Sequence, residues 1–105
     1  MIKNKELKEI NKYLLFLKSK GIRFEKAIVF GSLAKGKGRE DSDIDLAIIS
    51  KDFEKDPFEV QVKLFKYAAK VSDRIEPIAL SSKEFEKESY PLVFEIKRYG
   101  KVIYP

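Results

Sequence analysis

A chain of 105 residues has surface enough for one core, so one domain over residues 1–105 is expected. With a hydrophobic fraction of 44%, ordinary for a globular protein, the 37% of charged residues reads as a dense surface rather than as disorder. Cysteine and histidine are both absent, which excludes disulfides, thiolate sites, the usual zinc ligand and every Ser-His-Asp scheme, and leaves only hard, oxygen-bound metals such as magnesium, manganese or calcium.

The formal net charge of +5 suits an anionic partner such as nucleotide phosphate, and it is equally what a lysine-rich solvated surface gives without one. Lysine outnumbers arginine, so bidentate phosphate readers are scarce. No apolar run approaches a membrane span, and residues 1–4 lead into a charged amphipathic segment rather than a signal peptide. A cytoplasmic protein without a membrane partner is therefore expected.

In chain order, Leu7, Ile10, Leu14 and Leu17, with Tyr13 beside them, recur at spacings of three and four residues and predict an amphipathic helix over 4–20. Asn4 is its expected N-cap and Gly21 its left-handed stop, with Lys18 and Lys20 where the helix dipole favours cations. Leu15 and Phe16 lie off the stripe and are free to cover a second surface or a partner. Ile22 and Phe24 pack down from a short connector. Ala27-Ile28-Val29-Phe30 then has the unbroken apolar character of a strand covered on both faces.

Gly31 ends that strand, and Ser32 is the expected N-cap of a short helical turn through Lys35. Such a junction directs backbone N–H groups and a hydroxyl at one spot, which makes either an anion site or an ordinary corner between strand and helix. Gly36, Gly38 and residues 37–42 form a charged loop, expected to be mobile. It is not a Walker A loop, because its lysines are not followed by Ser or Thr. Asp43 and Asp45 open a second strand over 44–49. Side chains two residues apart on a strand share a face, so the two carboxylates stand side by side. Such a pair repels and is costly to bury unless a divalent cation holds it; the plain alternative is a surface aspartate pair at a strand start. Ser42-Asp43-Ile44-Asp45 running directly into four apolar residues favours the cation.

Residues 50–57 read as a linker, with Pro57 placed for the first turn of a helix. Val60, Leu64, Tyr67, Ala68 and Val71, with Phe65 adjoining, predict a second core helix over 58–71. Residues 74–80 read as a third strand, on which Arg74, Glu76 and Ile78 share a face. Pro77, lacking an N–H, argues that this strand lies at an edge or is distorted there. Glu76 there either sits at the rim or joins the aspartates as a third carboxylate. Ser81 and Glu84 make a capping-box pattern ahead of a short helix reaching about residue 89. A further helix over 92–99 has Leu92, Val93 and Ile96 as its buried side and Gly100 as its stop. Residues 101–104 finish as a short strand or extended tail.

Gly31-Ser32, ten residues, then Asp43-Ile44-Asp45, with an acidic residue on a later strand at Glu76, resembles the nucleotidyltransferase domain of the DNA polymerase β superfamily. The small size, the leading helix and the ending Ile96-Lys97-Arg98-Tyr99-Gly100-Lys101-Val102-Ile103-Tyr104 are similar to its minimal nucleotidyltransferase (MNT) branch, the antitoxin of modules whose toxin has a HEPN domain. The resemblance covers nearly the whole chain. Glu76 departs from the pattern, since members more often carry aspartate there. The fold implied is α/β (α+β): a small mixed β-sheet packed with helices. Gly31 and Ser32 are implied to hold the β- and γ-phosphates of a nucleoside triphosphate. Asp43 and Asp45 are implied to bind magnesium, with Glu76 completing the site as ligand of a second ion or as base. The implied reaction is magnesium-dependent transfer of AMP from ATP to a hydroxyl, a tyrosine of the HEPN toxin, with release of pyrophosphate.

Lys35 and Lys37 could balance triphosphate charge, or simply be solvated. Two other functions compete. One is a non-catalytic antitoxin that covers its toxin through Leu15, Phe16 and Val102-Ile103-Tyr104. The other is a small-molecule nucleotidyltransferase, for which the second domain that normally builds an acceptor pocket is lacking. Direct nucleic-acid binding is not expected, because nothing forms a template channel or a base-stacking platform.

Overall fold

The computed structural model of the protein describes residues 2–37 and 42–105. The centre of the expected charged loop, residues 38–41, lies outside the described residues, and so does Met1. The first amphipathic stripe folds as α1 (Asn4–Ser19), which buries Ile10, Tyr13, Leu14 and Leu17. Its N-cap is Lys3 rather than the expected Asn4, because Glu6 in the first turn accepts the Lys3 backbone N–H at 3.0 Å. Gly21 follows the helix with φ of +79°, the left-handed conformation expected of it.

The remaining elements are β1 (Lys26–Phe30), α2 (Gly31–Ala34), β2 (Ile44–Ser50), a 3-10 turn at Lys51–Glu54, α3 (Pro57–Val71), β3 (Ile75–Ser81), α4 (Ser82–Phe85), α5 (Pro91–Tyr99) and β4 (Lys101–Tyr104). The 3-10 turn gives the expected linker a structure of its own: Ser50 Oγ accepts the Asp52 N–H at 3.1 Å and Phe53 is buried. The capping box at Ser81 and Glu84 forms in both directions, at 3.1 and 2.9 Å. The helix that it starts ends at Phe85, four residues short of the expected end, because Glu86, Lys87, Glu88 and Ser89 have no apolar side to bury. In α5 the buried residues are Val93 and Ile96, while Leu92 is exposed. Gly100 explains that roll: its backbone lies so close to Ile28 that a Cβ there would collide with it.

The strands form one sheet in the order β3-β2-β1-β4. β1 runs antiparallel to both β2 and β4, and β2 runs parallel to β3, so the sheet is mixed. Both faces are covered, as the unbroken apolar runs require. On one face Ala27, Val29, Ile44, Leu46 and Ile48 pack with Ile10, Tyr13 and Leu17 of α1 and Leu64 and Ala68 of α3. On the other, Ile28, Phe30, Ala47, Ile49 and Leu80 receive Val93 and Ile96 of α5. The Tyr13 hydroxyl donates to the Leu64 carbonyl at 2.9 Å and joins α1 to α3 inside the first core.

β3 is an edge strand, the place where Pro77 costs no ladder hydrogen bond. Its outer edge is closed by one side chain of α3. Gln61 Nε2 donates to the Pro77 carbonyl at 2.8 Å, and Gln61 Oε1 accepts the Ala79 N–H at 2.7 Å. An amide thus stands in for a neighbouring strand. Replacing it leaves both backbone groups without partners where they are only partly wet. Gln61→Ala is expected to lower stability by about 1–3 kcal/mol, measured by urea unfolding at unchanged m. A loss below about 0.5 kcal/mol would mean that water satisfies the edge equally well.

Candidate functional site

The head of β2 gathers the acidic residues singled out from the sequence. Asp45, the second residue of β2, pairs with Phe30 of β1 on one side and with Glu76 of β3 on the other. Side chains in register on adjacent strands point to the same face, here the face covered by α5. Glu76 therefore stands beside Asp45. Asp43 lies two residues upstream, exposed, just before β2 begins.

Gly31 directly follows Phe30 and turns the chain out of β1 with φ of +74°. A Cβ added at Gly31 would collide with Oδ2 of Asp45. Glycine is thus required twice, for a backbone conformation that L side chains avoid and for room in which the carboxylate lies against the main chain. Ser32 is the exposed second residue of α2, and the cap of that turn is Phe30 rather than the expected Ser32, because the turn begins one residue earlier.

Arg74 secures the entry to β2. Its Nε donates to the Ser42 carbonyl at 2.9 Å, and its guanidinium reaches Glu6 at 3.2 Å and Glu9 at 3.8 Å. The Arg74 carbonyl in turn accepts the Ile44 N–H at 2.7 Å. Expected to share a face with Glu76, Arg74 instead precedes β3 and turns toward α1. The sequence carries no local sign of this, since the partners lie 32 and 68 residues away. Burial alone would raise the Glu6 carboxyl, but the Lys3 N–H and then Arg74 outweigh it and hold Glu6 below the usual carboxylate range.

The carboxylates at the head of β2 behave oppositely. Burial first, then the negative charges of Asp43 and Glu95, hold Asp45 above the ordinary range. Glu76 is raised by desolvation, by the charges of Asp43 and Asp45, and by a hydrogen bond with Asp43. Two carboxylates that close share either a proton or a cation. Oxygen donors of this kind suit a hard divalent ion. Among the described residues no three acidic side chains form a closed metal-ligand cluster, so the fit rests on donor chemistry and mutual repulsion. Glu95 of α5, whose charge reaches Asp45, was not singled out from the sequence. A cleft of about 570 Å³ lined by Ile2, Leu7, Ala34, Lys35, Gly36 and Lys101 borders α2 and takes in none of the three carboxylates.

The family described as "Polymerase beta, Nucleotidyltransferase" matches residues 8–105. No curated protein matches the chain. Similar solved structures include a Sulfolobus solfataricus protein assigned to the nucleotidyltransferases, with a TM-score of 0.66 at 20% identity over 91% of this chain and 77% of that one. A toxin–antitoxin with AMP-PNP has a TM-score of 0.64 at 21% identity, covering 90% of this chain and 71% of that chain. A mutant of the toxin–antitoxin MntA-HpeT has a TM-score of 0.63 at 20% identity, with the same coverage of 90% and 71%. At such identities the likeness is one of fold.

The repulsion has a consequence for stability. An acid whose proton affinity is raised by folding favours the folded state while protonated and weighs against it once ionised, so the penalty is present at neutral pH and fades as pH falls through the raised range. Without divalent ions, Asp43→Asn and Asp45→Asn are each expected to raise the melting temperature by about 2–4 °C. Magnesium should stabilise the wild type but neither variant. That stabilisation should fade on acidification, as protons compete with the ion for the carboxylates. Differential scanning calorimetry with and without magnesium checks all three; a fall in melting temperature for both variants would mean that the pair is structural.

Proposed function

The chain belongs to the polymerase β nucleotidyltransferase family, and from that premise we propose that it transfers AMP from ATP to a hydroxyl of a HEPN-domain toxin, acting as the toxin's antitoxin. The observation that carries this reading is the seat of Asp45, against the Gly31 backbone on one side and opposite Glu76 on the other. In this reading Gly31 and Ser32 hold the β- and γ-phosphates. Asp43 and Asp45 bind magnesium, and Glu76 completes the set as ligand of a second ion or as base. Magnesium bound there would neutralise phosphate charge and align the attacking and leaving oxygens. The acceptor oxygen attacks the α-phosphorus, and one P–O bond forms as the bond to the bridging oxygen breaks. Pyrophosphate leaves, and Glu76 as base takes the hydroxyl proton. A tyrosine is the acceptor most in keeping with the MNT branch. Two structures of similar fold are toxin–antitoxins, one of them with AMP-PNP, and they support the choice of both nucleotide and partner.

A second reading, neutralisation by covering the toxin, is favoured by the exposed apolar surface. Leu15 is 67% and Phe58 80% exposed, and Val62 and Phe65 continue the outer side of α3. Of the residues expected to serve this role, Leu15 and Val102 are exposed. Phe16 instead packs edge-on against Tyr67 at 5.6 Å, and Tyr104 against Phe24 at 5.1 Å.

The two readings separate in one experiment with the HEPN-domain toxin proposed as partner. With α-labelled ATP and magnesium, label is expected on the toxin and should fall at least about 100-fold in Asp43→Ala or Asp45→Ala. If Asp43→Ala neutralises the toxin as well as the wild type does, while Leu15→Glu with Phe65→Glu does not, covering is the mechanism.

A further inference from the structure

Lys35 follows α2 directly, and its backbone N–H bonds back to the Gly31 carbonyl at 3.3 Å. Its side chain does not extend freely. The Nζ lies 3.3 Å from Oε1 of Glu95 and 4.8 Å from the centre of the Tyr99 ring, and only 32% of the side chain is exposed. Both partners come from α5, one turn apart and therefore on one side of it. An anion and an aromatic face hold one ammonium between them. The packing of α5 on the sheet rests on Val93 and Ile96, so Glu95 is not needed for it. The charge of Glu95 is also felt at Asp45, which puts this carboxylate at the border of the site.

We propose that Glu95 is a positioning residue for the nucleotide: its ion pair holds the Lys35 ammonium beside the Gly31-Ser32 turn, where it meets the terminal phosphates of a nucleoside triphosphate. This rests on the nucleotide reading above and adds a residue of α5 to it. An ammonium has three N–H donors, so a bond to Glu95 leaves others for phosphate oxygens. A carboxylate this near a triphosphate would by itself repel it, and pairing with Lys35 offsets that charge. The sign of the effect of removing Glu95 therefore decides. Repulsion alone predicts tighter nucleotide binding; positioning predicts weaker.

The test is calorimetric titration of the full chain with ATP or AMP in the presence of magnesium. The proteins are wild type, Glu95→Ala, Glu95→Gln, Lys35→Met and the Lys35→Met/Glu95→Ala double variant. Glu95→Ala is expected to weaken ATP binding about fivefold, the worth of a part-exposed ion pair, and to leave AMP binding unchanged. Glu95→Gln should fall between it and the wild type. Lys35→Met should weaken ATP about tenfold, and adding Glu95→Ala to it should cost nothing more. Tighter ATP binding by Glu95→Ala, an equal loss for ATP and AMP, or a further loss in the Lys35→Met background would each overturn the proposal. Glu95→Gln keeps the side chain's size, so it decides if the alanine variant melts early. A wild type that binds no ATP removes the nucleotide reading and this proposal with it. A wild type that binds ATP no better than its Glu95 variants removes the role of Glu95 alone.

Discussion

The half-buried side chain of Arg74 joins three segments that are far apart in the chain. It bonds the Ser42 carbonyl ahead of β2 and pairs with Glu6 and Glu9 of α1, while its own carbonyl accepts the Ile44 N–H. A cation withdrawn from water is costly unless its charge and donors are met; with 13% of the side chain exposed, the Ser42 carbonyl and Glu6 accept hydrogen bonds from it, and Glu9 adds its charge at 3.8 Å through an Oε2 that is buried without a hydrogen bond. β2 and β3 are parallel, so no hairpin turn sets their register. A one-residue slip would turn Glu76 away from Asp45 and toward the core beneath α1 and α3. The clamp at the head of both strands resists that slip. The apolar pattern of the two strands and the Arg74 clamp together favour the register in which Asp45 faces Glu76.

Against that anchored frame, the residues at the head of β2 work against stability. Three carboxylates gather where burial and mutual charge raise the proton affinity of two of them. Gly31 gives up a side chain so that one of the three can lie against the main chain. Nothing in the packing asks for this: Ala47 and Ile49, further along the same face of β2, are ordinary core residues. A fold that accepts such a cost in one corner, beside an Arg–Glu cluster whose opposite charges offset each other, has the profile of a ligand site on a stable scaffold. With no histidine or cysteine in the chain, any proton transfer or cation binding there would fall to carboxylates.

What could be read from the sequence was local. The amphipathic stripe of α1, the apolar strands, the turn at Gly31, the capping box at Ser81 and the edge position of Pro77 all follow from patterns within a few residues, and the structure contains each of them. The nearness of Glu76 to Asp45 was legible only as one of two alternatives, since it depends on the strand register. The misses divide by cause. Lys3 in place of Asn4 as N-cap, and Phe30 in place of Ser32, are shifts of one or two residues at helix ends, where several caps are nearly equivalent. The exposure of Leu92 depends on how α5 rolls onto Ile28 at Gly100, a packing event with no periodic signature. Arg74 with Glu6, Gln61 with the β3 edge and Lys35 with Glu95 are polar contacts across long separations, and a single charged residue in a sequence does not name its partner.

Those long-range polar contacts also explain how the two faces of the sheet differ. Under α1 and α3 the core is broad, and Tyr13 and Gln61 tie the helices to each other and to the edge strand. On the opposite face the cover is narrow. The nine residues of α5 are too few to hold a helix on their own in water, so α5 is helical because Ile28, Ala47, Ile49 and Leu80 give Val93 and Ile96 a surface to bury. Its polar side then presents Glu95 and Tyr99 to Lys35. The electrostatics beside Asp45 are in this way made to depend on apolar packing several residues away. Whatever loosens α5 from the sheet withdraws the partner of Lys35 and the neighbouring charge of Asp45 together, so the integrity of the second core and the charge balance at the head of β2 cannot vary independently.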